Sequence, residues 1–204
     1  MQGALLFSSR KAQFFRNEAY LSYAVVTKDE AQRRRWTFYE VVKGCIMSTF
    51  THLDNTGSVR MVDVSEKAAT AREAVAQGLV IMQPETFELI KDQKVKKGNV
   101  LETARIAGIM AAKKTAELIP MCHPLSISHA QVDFFPQPET HSIRIEATVR
   151  LVGKTGVEME ALTTVTVAAL TIYDMCKSYD RAMTISDICL IKKSGGKSGT
   201  FVRE

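Results

Sequence analysis

At 204 residues and 46% hydrophobic content, the chain is long enough to bury one sizeable core, which sets aside disordered and fibrous classes. Its formal net charge of +5 is unevenly placed: residues 1–46 hold eight Lys/Arg against four Asp/Glu, leaving only +1 for residues 47–204, so bulk charge argues for no nucleic-acid partner. Four scattered cysteines without a Cys-x-x-Cys pair exclude a disulfide framework, and no apolar run reaches the ~18–20 residues of a membrane span, so a reduced cytoplasm is the simplest compartment.

Residues 1–46 read as an extension, and Met47 as the natural start of a catalytic domain covering 47–204. The first residues carry Arg10, Lys11 and Arg16 and no acid before Asn17, which has transit-peptide character and would imply a mitochondrial address. Asp29, Glu30 and Glu40 remove that character from the remainder. An over-extended translation start, with poor order at the terminus, is the reading preferred here.

Met61–Val64 reads as a strand, and the Ala-rich stretch 69–82 reads by propensity as a helix. Pro84 to Lys91 forms a short helix with proline in its first turn, and Asn99 to Ile119 a long one. Ala130, Val132 and Phe134 alternate with Gln131 and Asp133, and Ile143 to Leu151 alternate with Arg144, Glu146, Thr148 and Arg150. These are two half-buried strands, and Pro136, Pro138 and the polar residues 139–142 make a hairpin between them. A second long helix runs from Met159 to about Tyr179, and Ile185–Ile191 closes the series as a strand. The sum is an α+β fold, an antiparallel sheet with long helices packed on one face.

The chemistry-bearing residues cluster on these elements. Asp174 and Lys177, three apart on a helix, project from one face and form an acid/base pair or, in the plainer reading, a surface ion pair. Glu158 and Glu160 flank Met159 at the start of the same helix, where carboxylates complement the dipole and can also accept from N–H donors of a ligand. His123, between Pro120 and Pro124, is held in a loop, adjacent to Cys122, and no second ligand cluster at zinc-like spacing accompanies them, so no metal site is expected. The segment Gly195-Gly196-Lys197-Ser198-Gly199 suits phosphate contact. It is not a P-loop: Ile191 stands where Walker A needs glycine, and Gly153-Lys154-Thr155 fails likewise with Thr148.

Taken together, Thr51–Asp54, Arg60–Ser65, Ala104–Lys113, Pro120–Pro124, Gly156–Leu162, Tyr173–Lys177 and Lys192–Gly199 closely resemble the cyclic pyranopterin monophosphate synthase family of molybdenum cofactor biosynthesis, from about Met47 to about Val202. The resemblance implies a ferredoxin-like fold, with a strand over 69–82. It implies a lyase that converts a cyclised dihydro-GTP triphosphate, the product of an upstream radical enzyme, to cyclic pyranopterin monophosphate with release of pyrophosphate. It also implies the site: Asp174, Lys177 and Lys97 as catalytic residues, with Met121, Cys122, His123, Glu158, Met159, Glu160 and Lys197 holding substrate. A homohexamer built as a trimer of dimers is implied, with no nucleic-acid or membrane partner; the sequence requires no cofactor and leaves open whether Mg²⁺ accompanies the triphosphate. One departure is Asn99, after Lys97-Gly98, where the family more often has an acid. A noncatalytic nucleotide sensor would need the glutamates and the Gly-Lys tail but tolerate loss of Asp174 and Lys177, and a purely structural partner would tolerate loss of all of them.

Overall fold

The structure, a computed structural model, describes residues 58–204; the extension 1–46 and the Thr51–Asp54 motif lie outside the described residues. The element order is β1 (Thr70–Ile81), α1 (Pro84–Lys91), α2 (Val100–Lys113), α3 (Thr115–Leu118), β2 (His129–Gln137), β3 (Ser142–Gly153), α4 (Glu158–Cys176), β4 (Thr184–Ser194) and β5 (Phe201–Val202). All strand pairs are antiparallel, in the order β2-β3-β1-β4-β5. Without β5, this is β-α-β-β-α-β with β1 between β3 and β4, the ferredoxin-like arrangement.

Within 69–82, Thr70–Ile81 is a strand, so helix propensity fails there for a tertiary reason. As the middle strand, β1 pairs along its whole length with β3 and over most of it with β4. Its inward positions are Ala74, Ala76, Gly78 and Val80, all buried. Small residues are needed because α4 crosses closely: a Cβ on Gly78 would lie 2.7 Å from Val165 Cγ1 and 3.1 Å from Ile188 Cγ1. Ile143, Ile145, Ala147, Val149 and Leu151 supply the core face of β3, and Ala161, Val165, Ala168, Ala169, Ile172 and Cys176 the buried stripe of α4. Each large apolar side chain buried there contributes about 1.5–3 kcal/mol before entropy is counted.

Three expectations need correction. Met61–Val64 joins no ladder; the chain turns directly after it, where the Asp63 carboxylate accepts from Ser65 N–H at 2.8 Å. The helix expected over 99–119 is two: α2 stops at Lys113, Lys114 leaves helical geometry, and the buried Thr115 hydroxyl donates to Ala111 and Ala112 carbonyls at the junction. Helix α4 ends at Cys176, with Lys177 as its C-cap; Tyr179 and Asp180 N–H groups both fold back onto the Cys176 carbonyl. The 84–91 helix and the 129–153 hairpin stand where periodicity puts them, and β4 extends the 185–191 strand at both ends.

Candidate functional site

Helix α4 places site residues at both of its ends. At the C-terminal end, Lys177 Nζ lies 2.7 Å from Asp174 Oδ1, and Lys97 Nζ donates to the Asp174 carbonyl at 2.7 Å while standing 3.7 Å from Oδ2. Lys97 arrives from the loop between α1 and α2. The Lys177 hydrogen bond, and then the Lys177 and Lys97 charges, hold the Asp174 carboxyl below its ordinary value, while the bond to Asp174 holds Lys177 above its own. At neutral pH the pair is therefore carboxylate and ammonium. Both side chains are more than half exposed on the single chain, so their attraction is screened and the resting pair contributes little stability.

At the N-terminal end, the backbone after β3 turns at Ser-free Gly153–Val157 and delivers Glu158 and Glu160 to different surroundings. Glu158 Oε1 pairs with Lys193 Nζ at 3.0 Å. It lines a cavity of about 240 Å³ together with Lys67, Arg72, Lys154, Lys193 and Lys197, so five cations face two acids, Glu158 and Glu73. Glu160 is only 3% exposed. Burial, reinforced by the Glu158 charge, pushes its carboxyl upward against the opposing pull of its own N–H. It opens on a second cavity, about 120 Å³, bounded by α2, α3, Pro124 and Leu125.

The Pro-Met-Cys-His-Pro loop runs beside this end. Burial first and the Glu160 charge second push the Cys122 thiol upward, which disfavours the thiolate. His123 Nε2 meets the Val62 carbonyl at 2.9 Å, tying this loop to the segment before β1. Met159, between the glutamates, is 37% exposed.

Lys197 sits in a β4–β5 hairpin turn rather than in a loose tail. Gly199 N–H donates to Gly196 O at 3.2 Å, Lys193 Nζ to Ser198 Oγ at 3.1 Å, and Arg203 N–H to Ile191 O at 2.8 Å. Gly195 has φ +95°, and a Cβ there would overlap the Ala71 carbonyl oxygen, so only glycine makes this turn. Asn99 caps α2 by accepting from Glu102 N–H at 3.1 Å, the service an aspartate would give equally well, so the departure from the family pattern is neutral for the fold.

The structure thus brings Lys97, Asp174 and Lys177 together, and separately Glu158 with Lys197, while Glu160 opens on the recess beside Pro124 and Leu125. Sixteen residues of helix separate Glu158 from Asp174, roughly 24 Å at 1.5 Å per residue. Sequence reasoning misses Lys67, Arg72 and Lys193 as cavity residues and sets Lys154 aside with its failed P-loop spacing. Lys193 lies in a Lys-Lys-Ser-Gly-Gly-Lys run that drew attention to Lys197 instead, whereas Lys67 and Arg72 carry no local signal. Among the described residues no group of three or more His, Cys, Asp or Glu side chains is placed to hold a metal ion, and no helix is long and apolar enough to cross a membrane.

Comparison with known proteins matches residues 61–196 to the MoaC family. A cyclic pyranopterin monophosphate synthase of Desulfatibacillum aliphaticivorans is 66% identical over 158 residues, covering 78% of this chain and 99% of its own. The enzymes of the same name from Desulforapulum autotrophicum and Chloroflexus aurantiacus are 63% and 64% identical, covering 78% and 75% of this chain and 97% and 94% of their own.

Proposed function

The chain belongs to the MoaC family, and from that premise we propose that it is a lyase of molybdenum cofactor biosynthesis, converting the cyclised dihydro-GTP triphosphate to cyclic pyranopterin monophosphate with release of pyrophosphate. The observation that carries this reading is the cationic cavity beside Glu158. A triphosphate bears several negative charges, and five cations converging on about 240 Å³ can neutralise it and the departing pyrophosphate. Mg²⁺ would enter, where needed, bound to the triphosphate. Glu160, held in its own recess, is suited to the amino and ring N–H groups of the guanine-derived part, with Met121, Cys122, His123 and Met159 forming the adjoining surface.

The resting charges support a division of roles at the other end of α4. A carboxylate accepts a proton and an ammonium gives one, so Asp174 acts first as base and Lys177 as acid, with Lys97 holding the carboxylate's orientation and charge. Ring rearrangement and closure of the cyclic phosphate both require such proton movement. Supplying the radical enzyme's product and measuring pyrophosphate tests the reading. The native chain should release pyrophosphate together with cyclic pyranopterin monophosphate, and Asp174→Asn and Lys177→Met should each lose at least about 10²-fold in turnover while remaining folded. Absence of product from the native chain would sink the assignment, and near-normal turnover in either variant would remove that residue from the chemistry.

The separation of roughly 24 Å along α4 supports a site shared between copies, in a homohexamer arranged as a trimer of dimers. Exposed Ile106, Met110 and Leu170 provide apolar surface on α2 and α4 for such contacts. Residues 1–46 take no part in this chemistry as proposed, and the reaction is assigned to the cytoplasm, where the free thiols of Cys122, Cys176 and Cys189 stay reduced.

A further inference from the structure

Lys97 stands on neither helix nor strand. Its loop leaves α1 through Gln93, at φ +56°, and ends at Gly98, at φ +104°, before the Asn99 cap. Within the loop the backbone bonds locally: Gln93 N–H to Ile90 O, Lys94 N–H to Leu89 O, and Gly98 N–H to Val95 O. Besides Lys97, the loop is tied to the rest of the fold through Val95 and Lys96. Val95 is buried in the core, and Lys96 N–H donates to the Tyr179 hydroxyl oxygen at 3.1 Å.

Tyr179 is itself on a fixed base. Its N–H donates to Cys176 O at 2.8 Å, the next residue's buried carboxylate, Asp180, accepts from Gln83 and Ala182 N–H at 2.8 Å each, and Tyr173 donates to Arg181 O at 3.3 Å. The segment is bolted to the end of α4 and to the start of α1. The loop it grips is cationic, carrying Lys94, Lys96 and Lys97, and Lys97 reaches the helix end that carries Lys177. A phenol oxygen can anchor such a loop without cancelling a charge the reaction uses.

We propose that Tyr179 is a positioning residue, its hydroxyl holding the Lys96 peptide so that Lys97 Nζ is aimed at Asp174. The proposal rests on the assignment of Lys97 to the catalytic group. Tyr179→Phe keeps the ring and removes the acceptor. The expected result is a fall in kcat of about fivefold to tenfold, the scale of one neutral hydrogen bond, with KM within about twofold and the thermal midpoint nearly unmoved. In a Lys97→Ala background, followed with enzyme in excess so that residual turnover is measurable, the same replacement should have no further effect. A Tyr179→Phe variant of native kcat, in an enzyme that Lys97→Ala disables, overturns the positioning role alone. An equal loss in both backgrounds also overturns it, since the tyrosine then acts independently of Lys97. Native turnover in Lys97→Ala overturns the Lys97 assignment, and the positioning role with it.

Discussion

Mixing two inactive variants tests whether the two ends of α4 meet across copies of the chain. One variant carries Lys97→Ala with Asp174→Asn, which silences the C-terminal group; the other carries Glu158→Gln with Lys197→Ala, which silences the cationic cavity. This division follows the structure, since Lys97 contacts Asp174 within one chain. If each site takes its catalytic group from one chain and its cavity from a neighbour, random exchange at equal concentrations gives each half an even chance of being native. About a quarter of sites should then be intact, and turnover should recover to about a quarter of the native rate. If both halves come from one chain, every site keeps one defective half and no recovery occurs. The assay is pyrophosphate release after exchange, with exchange itself followed by native mass spectrometry of chains differing in isotope label. Full exchange without recovery would refute the shared site and require one chain's ligand to span the roughly 24 Å alone.

Two further outcomes bear on the cavity and on Glu160. Burial raises the Glu160 carboxyl, so the folded state holds that proton more tightly than the unfolded chain does; the stability this linkage supplies is complete below the ordinary carboxylate value and is lost as pH rises through the folded one. Glu160→Gln cannot titrate, so its thermal midpoint relative to the native chain should climb as pH rises above the ordinary carboxylate value while substrate affinity falls, and a difference independent of pH would show that the carboxyl is not displaced as described. Gly195→Ala places a Cβ against the Ala71 carbonyl at a left-handed φ, a strain of about 1–3 kcal/mol. Moving that turn should displace Lys197 and raise KM by about tenfold, and an unchanged KM in titration of substrate would free Lys197 from the cavity.

Much of the fold was legible wherever local pattern and tertiary packing agree. The 129–153 hairpin alternates because one sheet face carries the core and the other carries Arg144, Glu146 and Arg150. The 69–82 stretch misleads because its alanines are there for clearance, not for propensity: Ala74, Ala76 and Gly78 let α4 approach the central strand, and composition alone cannot distinguish that use from a helix. The break at Lys114 is hidden for a similar reason. It is set by the buried Thr115 hydroxyl, whose partners are carbonyls of the preceding turn, and a threonine among alanines announces nothing of the kind.

The site divides the same way. Asp174 and Lys177 are close because helical spacing makes them so, and Glu158 and Glu160 share a helix start, but their different burial depends on neighbours far away in sequence. Lys97 is eighty residues from Lys177 in order of magnitude along the chain, and its place beside Asp174 follows from the α1–α2 loop docking on the end of α4. The cationic cavity gathers Lys67 and Arg72 from around the start of β1, Lys154 from the end of β3 and Lys193 and Lys197 from the β4–β5 hairpin. No window of sequence contains that set. The Gly153-Lys154-Thr155 segment fails the P-loop spacing test, yet its lysine reaches the cavity, because an antiparallel sheet assembles a phosphate-suited surface from several strand ends instead of from one loop and one helix. The near-neutral charge of residues 47–204 fits this: a locally positive cavity is made by five cations meeting two acids in space, without net charge in the composition.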